Sequence, residues 1–340
     1  MMEDVHTLLE VKNLKVYFYL EQGVIRAVDG VSFTLRRGQT LGIVGESGCG
    51  KSVTARSIMR LLPPDITRIV EGEIIYHGDT GAPLDLAKLD PYGDTIRDIR
   101  GNDIAMIFQE PMTSLNPVYT IGYQIMEAIQ LHQVVSKDEA RRRVVDMLRL
   151  VGISEPERRV DQYPHHYSGG MRQRAMIAMA LSCNPKILIA DEPTTAMDVT
   201  IEAQILDLIQ QIQAERDMAL IMITHDLNVI GEVADQVIVM YLGKVVESTT
   251  VDDIFDNPKH PYTRALLNSL PQIGLAERLS SIEGTVPGPH ERPKGCAFAP
   301  RCPSVMERCH TQEPPVFQVE ESITAACWLY ADSAKAVQHE

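Results

Sequence analysis

The run Gly45-Glu46-Ser47-Gly48-Cys49-Gly50-Lys51-Ser52 directly follows the apolar stretch Thr40–Val44, and no other feature constrains this chain as strongly. The spacing G-x-x-x-x-G-K-S lets backbone N–H groups converge on phosphate oxygens without side-chain clashes. A helix opening at Lys51 turns its positive dipole end toward the same anion. The apolar stretch reads as a buried parallel strand, and a helical pattern runs from Lys51 to Leu62, before Pro63-Pro64. Strand, glycine loop and helix in this order predict an α/β fold that binds a nucleoside triphosphate. Gly45, Glu46, Ser47, Gly48, Cys49, Gly50, Lys51, Ser52 and Val53 form the expected cradle. Lys51 is expected to reach the β- and γ-phosphates and Ser52 to ligate Mg²⁺. Cys49 reads as a small filler rather than a redox switch.

A second apolar run, Lys186–Ala190, ends in Asp191-Glu192-Pro193. Ligands of open α/β sheets bind at the carboxyl ends of strands, so the position of this acidic pair carries meaning. Asp191 can hold the Mg²⁺ of a nucleotide complex, and Glu192 can polarise an attacking water. His225 follows a third apolar run, Ala219–Ile223, and is placed to sense a γ-phosphate. Either feature alone would be unremarkable; beside a phosphate loop, both become candidates for catalysis.

Four zones organise the chain. Residues 8–45 alternate apolar and polar, which predicts short antiparallel strands. Residues 120–182 are rich in helix formers and predict a helical subdomain. Residues 186–246 alternate short apolar strands with helical patterns, as βαβ crossovers do. Beyond 257 prolines, glycines and four cysteines accumulate, which predicts a small appended domain of about 257–333 after a main domain of 8–256. With 44% hydrophobic and 23% charged residues, disorder and fibrous architectures are excluded. A net charge of -14 argues against nonspecific nucleic-acid binding. No run approaches the roughly 20 apolar residues of a membrane span, and the acidic start Met1-Met2-Glu3-Asp4 lacks a signal-peptide core. The chain is therefore expected to be cytosolic and to meet a membrane only through partners.

The order of motifs resembles the ATP-binding-cassette family. After the phosphate loop come Gln109 in Phe108-Gln109-Glu110-Pro111, then Tyr167-Ser168-Gly169-Gly170-Met171, which resembles the family's L-S-G-G-Q signature. Asp191-Glu192, Thr195-Ala196-Met197-Asp198 and His225 follow. The resemblance covers residues 9 to about 250. It implies a P-loop cassette with a parallel core, an antiparallel β subdomain and a helical subdomain. Gln109 would contact Mg²⁺ or the attacking water and communicate with membrane subunits. Phe18 would stack on adenine, with Tyr17 and Tyr19 as competitors. Ser168, Gly169 and Gly170 would bind ATP held by a second ATPase subunit, with Asp198 at that interface. Such a turn opening a helix presents free N–H groups to an anion. Tyr167 and Met171 depart from the usual Leu and Gln, and Met197 from a common Leu.

The tail narrows the resemblance to the dipeptide/oligopeptide importer branch, through His260-Pro261-Tyr262-Thr263-Arg264-Ala265-Leu266-Leu267, the cysteine cluster and the run 108–117. That branch implies a second, homologous ATPase, two membrane permeases, an external binding protein and a place on the cytoplasmic face of the membrane. Peptide is the expected cargo, with oligosaccharide, nickel or glutathione as alternatives. Cys296, Cys302, Cys309 and Cys327 follow C-x5-C-x6-C-x17-C spacing. Four thiolates can hold Zn²⁺ or a [4Fe–4S] cluster, or remain without metal. The absence of tight C-x₂₋₄-C knuckles and the branch resemblance favour the cluster. A soluble cassette ATPase of translation or DNA repair would usually carry two cassettes or coiled-coil insertions. A GTPase would need an N/T-K-x-D segment, and an exporter ATPase is often fused to membrane spans. None of these is present.

Overall fold

Strict two-residue alternation splits the buried strands between two cores, and that division fixes the architecture. The computed structural model describes residues 7–79, 82–109, 114–194, 199–270, 282–288 and 291–337. Its first sheet is antiparallel, in the order β2 (Gly23–Arg36), β1 (Thr7–Leu20), β4 (Thr67–Tyr76), β5 (Leu84–Asp85). The first two strands are 14 residues each, not the short strands that the pattern suggested. Several β-bulges let them run that far while Leu9, Val11, Leu14, Val16 and Leu35 stay buried.

The second sheet carries a parallel core, β9 (Gln236–Tyr241), β3 (Thr40–Val44), β8 (Ala219–Thr224), β7 (Ile187–Asp191) and β6 (Ile104–Ile107). Both faces are covered. In β7 the side chains of Ile187 and Ile189 enter the core shared with the antiparallel sheet and the helix Lys51–Ile58. Leu188 and Ala190 enter the other core, shared with the helical region. Each fully buried aliphatic side chain contributes about 1.5–3 kcal/mol, so such strands are strong anchors.

The helical region contains Ile121–His132, Lys137–Leu150 and Gly169–Leu181. Ile121, Ile125 and Ile129 form one buried stripe, and Ala140, Val144 and Leu148 a second. Thr120 and Ser136 cap the first two helices by accepting N–H groups of Tyr123 and Glu139. The helix after the phosphate loop stops at Ile58 rather than Leu62. Arg60 adopts a left-handed φ of 51°, and its guanidinium donates to the Leu89 carbonyl, so the chain turns before the prolines. No helix among the described residues is long and apolar enough to cross a membrane.

The tail extends this sheet. The strand β10 (Lys244–Thr250) pairs with β9, and β12 (Ile323–Ala325) pairs with the far edge of β10. The strands β11 (Phe317–Glu320) and β13 (Lys335–Ala336) continue outward, giving nine strands among the described residues. Tyr262 and Phe298 are buried in the same core as the helical region. Because Ile323 is wholly buried at this junction, Ile323→Ala is expected to cost about 2–5 kcal/mol. Urea unfolding of the full chain should show its main transition displaced; a separate early melt of the tail alone would contradict the continuity.

Candidate nucleotide-binding and hydrolysis site

Parallel register aligns the carboxyl ends of four strands on one edge. Val44 lies opposite Thr224, Ile223 opposite Asp191, and Ala190 opposite Ile107. The phosphate loop, His225, Glu192 and Gln109 each follow one of these ends within two residues.

The loop is built by glycines that no other residue could replace. Gly45 has φ 150°, and a Cβ there would collide with the Met240 carbonyl and the Cys49 sulfur. Gly50 has φ 104°, and a Cβ would strike the Ala27 carbonyl. Lys51 is buried, and its ammonium donates to the carbonyls of Gly45 (2.7 Å) and Glu46 (3.2 Å). Ser47 and Gly48 face solvent at the mouth of the cradle, Ser52 and Val53 are half-buried, and Cys49 is buried with its thiol pushed up by desolvation. The filler role suits such a thiol, because burial makes it unreactive.

Ser52 Oγ donates to Asp191 Oδ1 at 2.9 Å. Asp191 is fully buried, and its Oδ2 has no hydrogen-bond partner. Burial raises its pKa, against the lowering effects of the Ser52 bond and of the Arg56 and Lys51 charges. A buried, orphaned carboxylate oxygen beside a serine hydroxyl fits the outer sphere of Mg²⁺.

Glu192 takes a left-handed φ of 49°, a costly backbone state for this residue type. That turn brings Glu192 Oε2 to 2.9 Å from Gln109 Nε2 and Oε1 to 3.4 Å from His225 Nδ1. The three residues come from three different strand ends, and together they can orient a water between them. On the helical side, Ser168 caps the helix Gly169–Leu181 by accepting the Met171 N–H. Ser168 and Gly169 are exposed and Gly170 half-buried, so the turn can meet an anion from outside the chain. Within the chain, Gln173 of this helix donates to the Pro193 carbonyl and ties it to the strand end holding Glu192. Tyr167 is buried, with its hydroxyl donating to the Arg159 carbonyl at 2.9 Å, so the ring replaces the usual aliphatic residue and its polar tip is satisfied. Asp198 lies outside the described residues.

Of the three aromatic candidates for adenine, Tyr17 is committed elsewhere: its hydroxyl donates to Asp29 (2.9 Å), and Arg26 sits 5.6 Å from the ring centroid. Tyr19 is 47% exposed, whereas Phe18 is half-buried and pairs with Ile25. A cavity of about 300 Å³ beside the loop is lined by Ile25, Arg26, Ser47, Gly48, Gly243 and, from the tail, Arg292.

The four tail cysteines lie within electrostatic reach of one another, and burial pushes the Cys296 and Cys327 thiols up to about 11. Cys302 is raised for the same reason. Yet among the described residues no three His, Cys, Asp or Glu side chains are arranged to hold a metal ion, so the expected [4Fe–4S] or Zn²⁺ site finds no support in the geometry. The thiols gather as neighbours, Cys309 and Cys327 buried and Cys296 and Cys302 half-buried, without converging as ligands.

Two residues missed by sequence reasoning reach the phosphate loop from the tail. The Glu46 N–H donates to the Tyr262 hydroxyl (2.9 Å), and Arg301 clasps the Glu46 carboxylate. Nothing local in the sequence signals contacts across more than 200 residues.

A phosphate-loop cradle after β3, with an acidic pair at the end of β7, two strands away in the same parallel sheet, belongs to the P-loop ATPases. The ABC transporter profile matches residues 28–195, and the profile for the oligopeptide/dipeptide transporter C-terminal region matches residues 246–309. The chain belongs to the ABC transporter family, in the branch that carries this C-terminal region, and is an ATP-hydrolysing transport subunit. It is 52% identical to the probable peptide ABC transporter ATP-binding protein y4tR of Sinorhizobium fredii over 94% of each chain. It is 51% identical to the oligopeptide transport ATP-binding protein AppD of Bacillus subtilis, over 96% of this chain and 98% of that one. Among solved structures, the dimeric ABC transporter cassette MJ0796 superposes with a TM-score of 0.62 at 27% identity, over 72% of this chain and 99% of that one.

The raised pKa of Asp191 means its burial favours the protonated form, so its stabilising contribution is present at low pH. That contribution fades as pH rises through the raised value. Asp191→Asn should therefore stabilise the nucleotide-free chain at neutral pH by about 1 kcal/mol while abolishing Mg²⁺-dependent ATP hydrolysis. Thermal melts from pH 4 to 8 check this: the gain should shrink toward acid pH.

Proposed function

We propose that the chain is the energy-coupling ATPase of a peptide importer, docked at the cytoplasmic face of the membrane. It would pair with a second, homologous ATPase and with two permeases served by an external binding protein. Near-full-length similarity to peptide and oligopeptide transport ATP-binding proteins supports peptide as the cargo. The observation that carries the catalytic reading is the left-handed strand end that turns Glu192 toward both Gln109 and His225.

In this reading Lys51 and the loop N–H groups hold the β- and γ-phosphates, and Phe18 stacks on adenine. Mg²⁺, when bound, neutralises phosphate charge, and Ser52, Asp191 and Gln109 are the residues suited to hold it. Glu192 accepts the proton of a water whose oxygen attacks the γ-phosphorus. The bond to the bridging oxygen breaks, and ADP leaves with the electron pair. His225 and Lys51 stabilise the charge that develops on the transferring group. Ser168, Gly169 and Gly170, with Asp198 at the interface, meet the γ-phosphate of the ATP held by the partner ATPase. The nucleotide thereby bridges the two subunits, and its hydrolysis lets them part. Gln109 would pass that closure on to the permeases.

The C-x5-C-x6-C-x17-C spacing supports a [4Fe–4S] cluster, or Zn²⁺, as a staple of the tail formed once the thiolates are drawn together. Metal analysis and an absorption band of roughly 400 nm in anaerobically purified chain test it.

Glu192→Gln should leave ATP binding intact, lower hydrolysis at least about 100-fold and trap ATP-bridged dimers with the partner ATPase. Size-exclusion chromatography with ATP and a phosphate-release assay read both effects. Normal hydrolysis by the variant site would remove Glu192 from its role.

A further inference from the structure

Glu46 is the one acidic side chain in the phosphate loop, where a polyphosphate anion must approach closely. An unpaired carboxylate there would repel the ligand, since like charges disfavour each other strongly in partly desolvated surroundings. The tail supplies the compensation. Arg301 Nη1 donates to Glu46 Oε2 at 2.7 Å and Nη2 to Oε1 at 3.1 Å, a two-pronged contact between residues 255 positions apart. The Arg301 side chain is only 3% exposed. Its Nε donates to the Glu283 carbonyl (3.1 Å), and its guanidinium carbon lies 6.0 Å from the ring centroids of both Tyr241 and Phe298. Tyr262, wholly buried against those two rings, accepts the Glu46 N–H. Both the side chain and the backbone of one loop residue are therefore held by the tail. The Glu46 carbonyl meanwhile receives the Lys51 ammonium.

We propose that Arg301 is a positioning residue of the nucleotide site: it neutralises Glu46 and holds that carboxylate off the phosphates, which places ATP affinity under the control of the C-terminal region. The inference rests on the ATP-site reading above. A planar guanidinium suits the task because it grips both carboxylate oxygens at once and keeps its charge when desolvated. The aromatic rings and the Glu283 carbonyl fix its orientation, so displacing the segment around 296–309 would withdraw the neutralising charge.

The test measures equilibrium binding of ATP, ADP and AMP to the full chain with Mg²⁺ at low salt. The variants are Arg301→Met, Glu46→Gln and the double variant, each checked for folding by its thermal transition. Arg301→Met should weaken ATP binding about tenfold and AMP binding less, because the repulsion scales with phosphate charge. The double variant, with no acid left to neutralise, should return to within about threefold of the unmodified chain. If Arg301→Met fails to fold while the double variant folds and binds ATP, neutralisation of Glu46 is likewise supported. Unchanged ATP affinity in Arg301→Met, equal losses for all three nucleotides, or a double variant no better than a weakened single one would each overturn the proposal. An unmodified chain that binds no ATP would instead refute the functional reading itself.

Discussion

The register of the parallel strands is the constraint on which the site depends. With Asp191 opposite Ile223 and Ile107 opposite Ala190, β7 can present its acidic end only in one way. Asp191 shares a face with Ile187 and Ile189, whose core also contains Ala55 and Ile58 of the helix that opens at Lys51. The same two-residue alternation that buries those isoleucines thus delivers the carboxylate to Ser52. A slip of one residue would send Asp191 to the opposite face and expose the strand's apolar set to the wrong core. The meeting of Asp191 with Ser52 and the burial of the sheet are here specified by one pattern.

Two local departures from low-energy structure sit at that edge. Asp191 is buried with an unsatisfied oxygen, and Glu192 occupies a left-handed backbone state. Each costs free energy in the nucleotide-free chain, and each falls on a residue that the proposed mechanism uses. The Glu192 N–H donates to the Ile223 carbonyl, which anchors the strained turn to the neighbouring strand. Strain is therefore borne by the rigid sheet rather than by a mobile loop, a condition for holding a water in line with a phosphorus atom.

The parts legible in sequence are those whose chemistry is local. Glycines at left-handed positions, a lysine and serine at fixed spacing, and carboxylates ending an apolar run each announce themselves within a dozen residues. The substitution of Tyr167 for leucine was not interpretable that way, because its answer is a carbonyl eight residues upstream, brought near by the turn before the signature helix. The helix ends at Ile58 although the prolines are the visible stop signal in the sequence: Arg60 turns the chain in a left-handed backbone state and reaches the Leu89 carbonyl. Cysteine spacing alone could not establish a metal centre, since spacing leaves open whether buried thiols converge on a common point.

Least legible was the relation of the tail to the cassette. Prolines and cysteines suggested an appendage, yet the exposed edge of β10 needs a partner, and β12 supplies it. Once the tail is bound to that edge, Phe298 and Tyr262 complete the core beneath the phosphate loop, and Arg301 stands within reach of Glu46. The contact follows from covering a sheet edge: the backbone pairing fixes the tail, and the fixed tail carries a positive charge to the one loop residue whose charge opposes the ligand. A tail that merely shielded the edge would need no buried arginine, because a desolvated guanidinium is costly unless its partner repays the burial. Its burial against aromatic rings, with the guanidinium directed at the loop, is therefore the feature that separates a working part of the nucleotide site from a cover over the sheet.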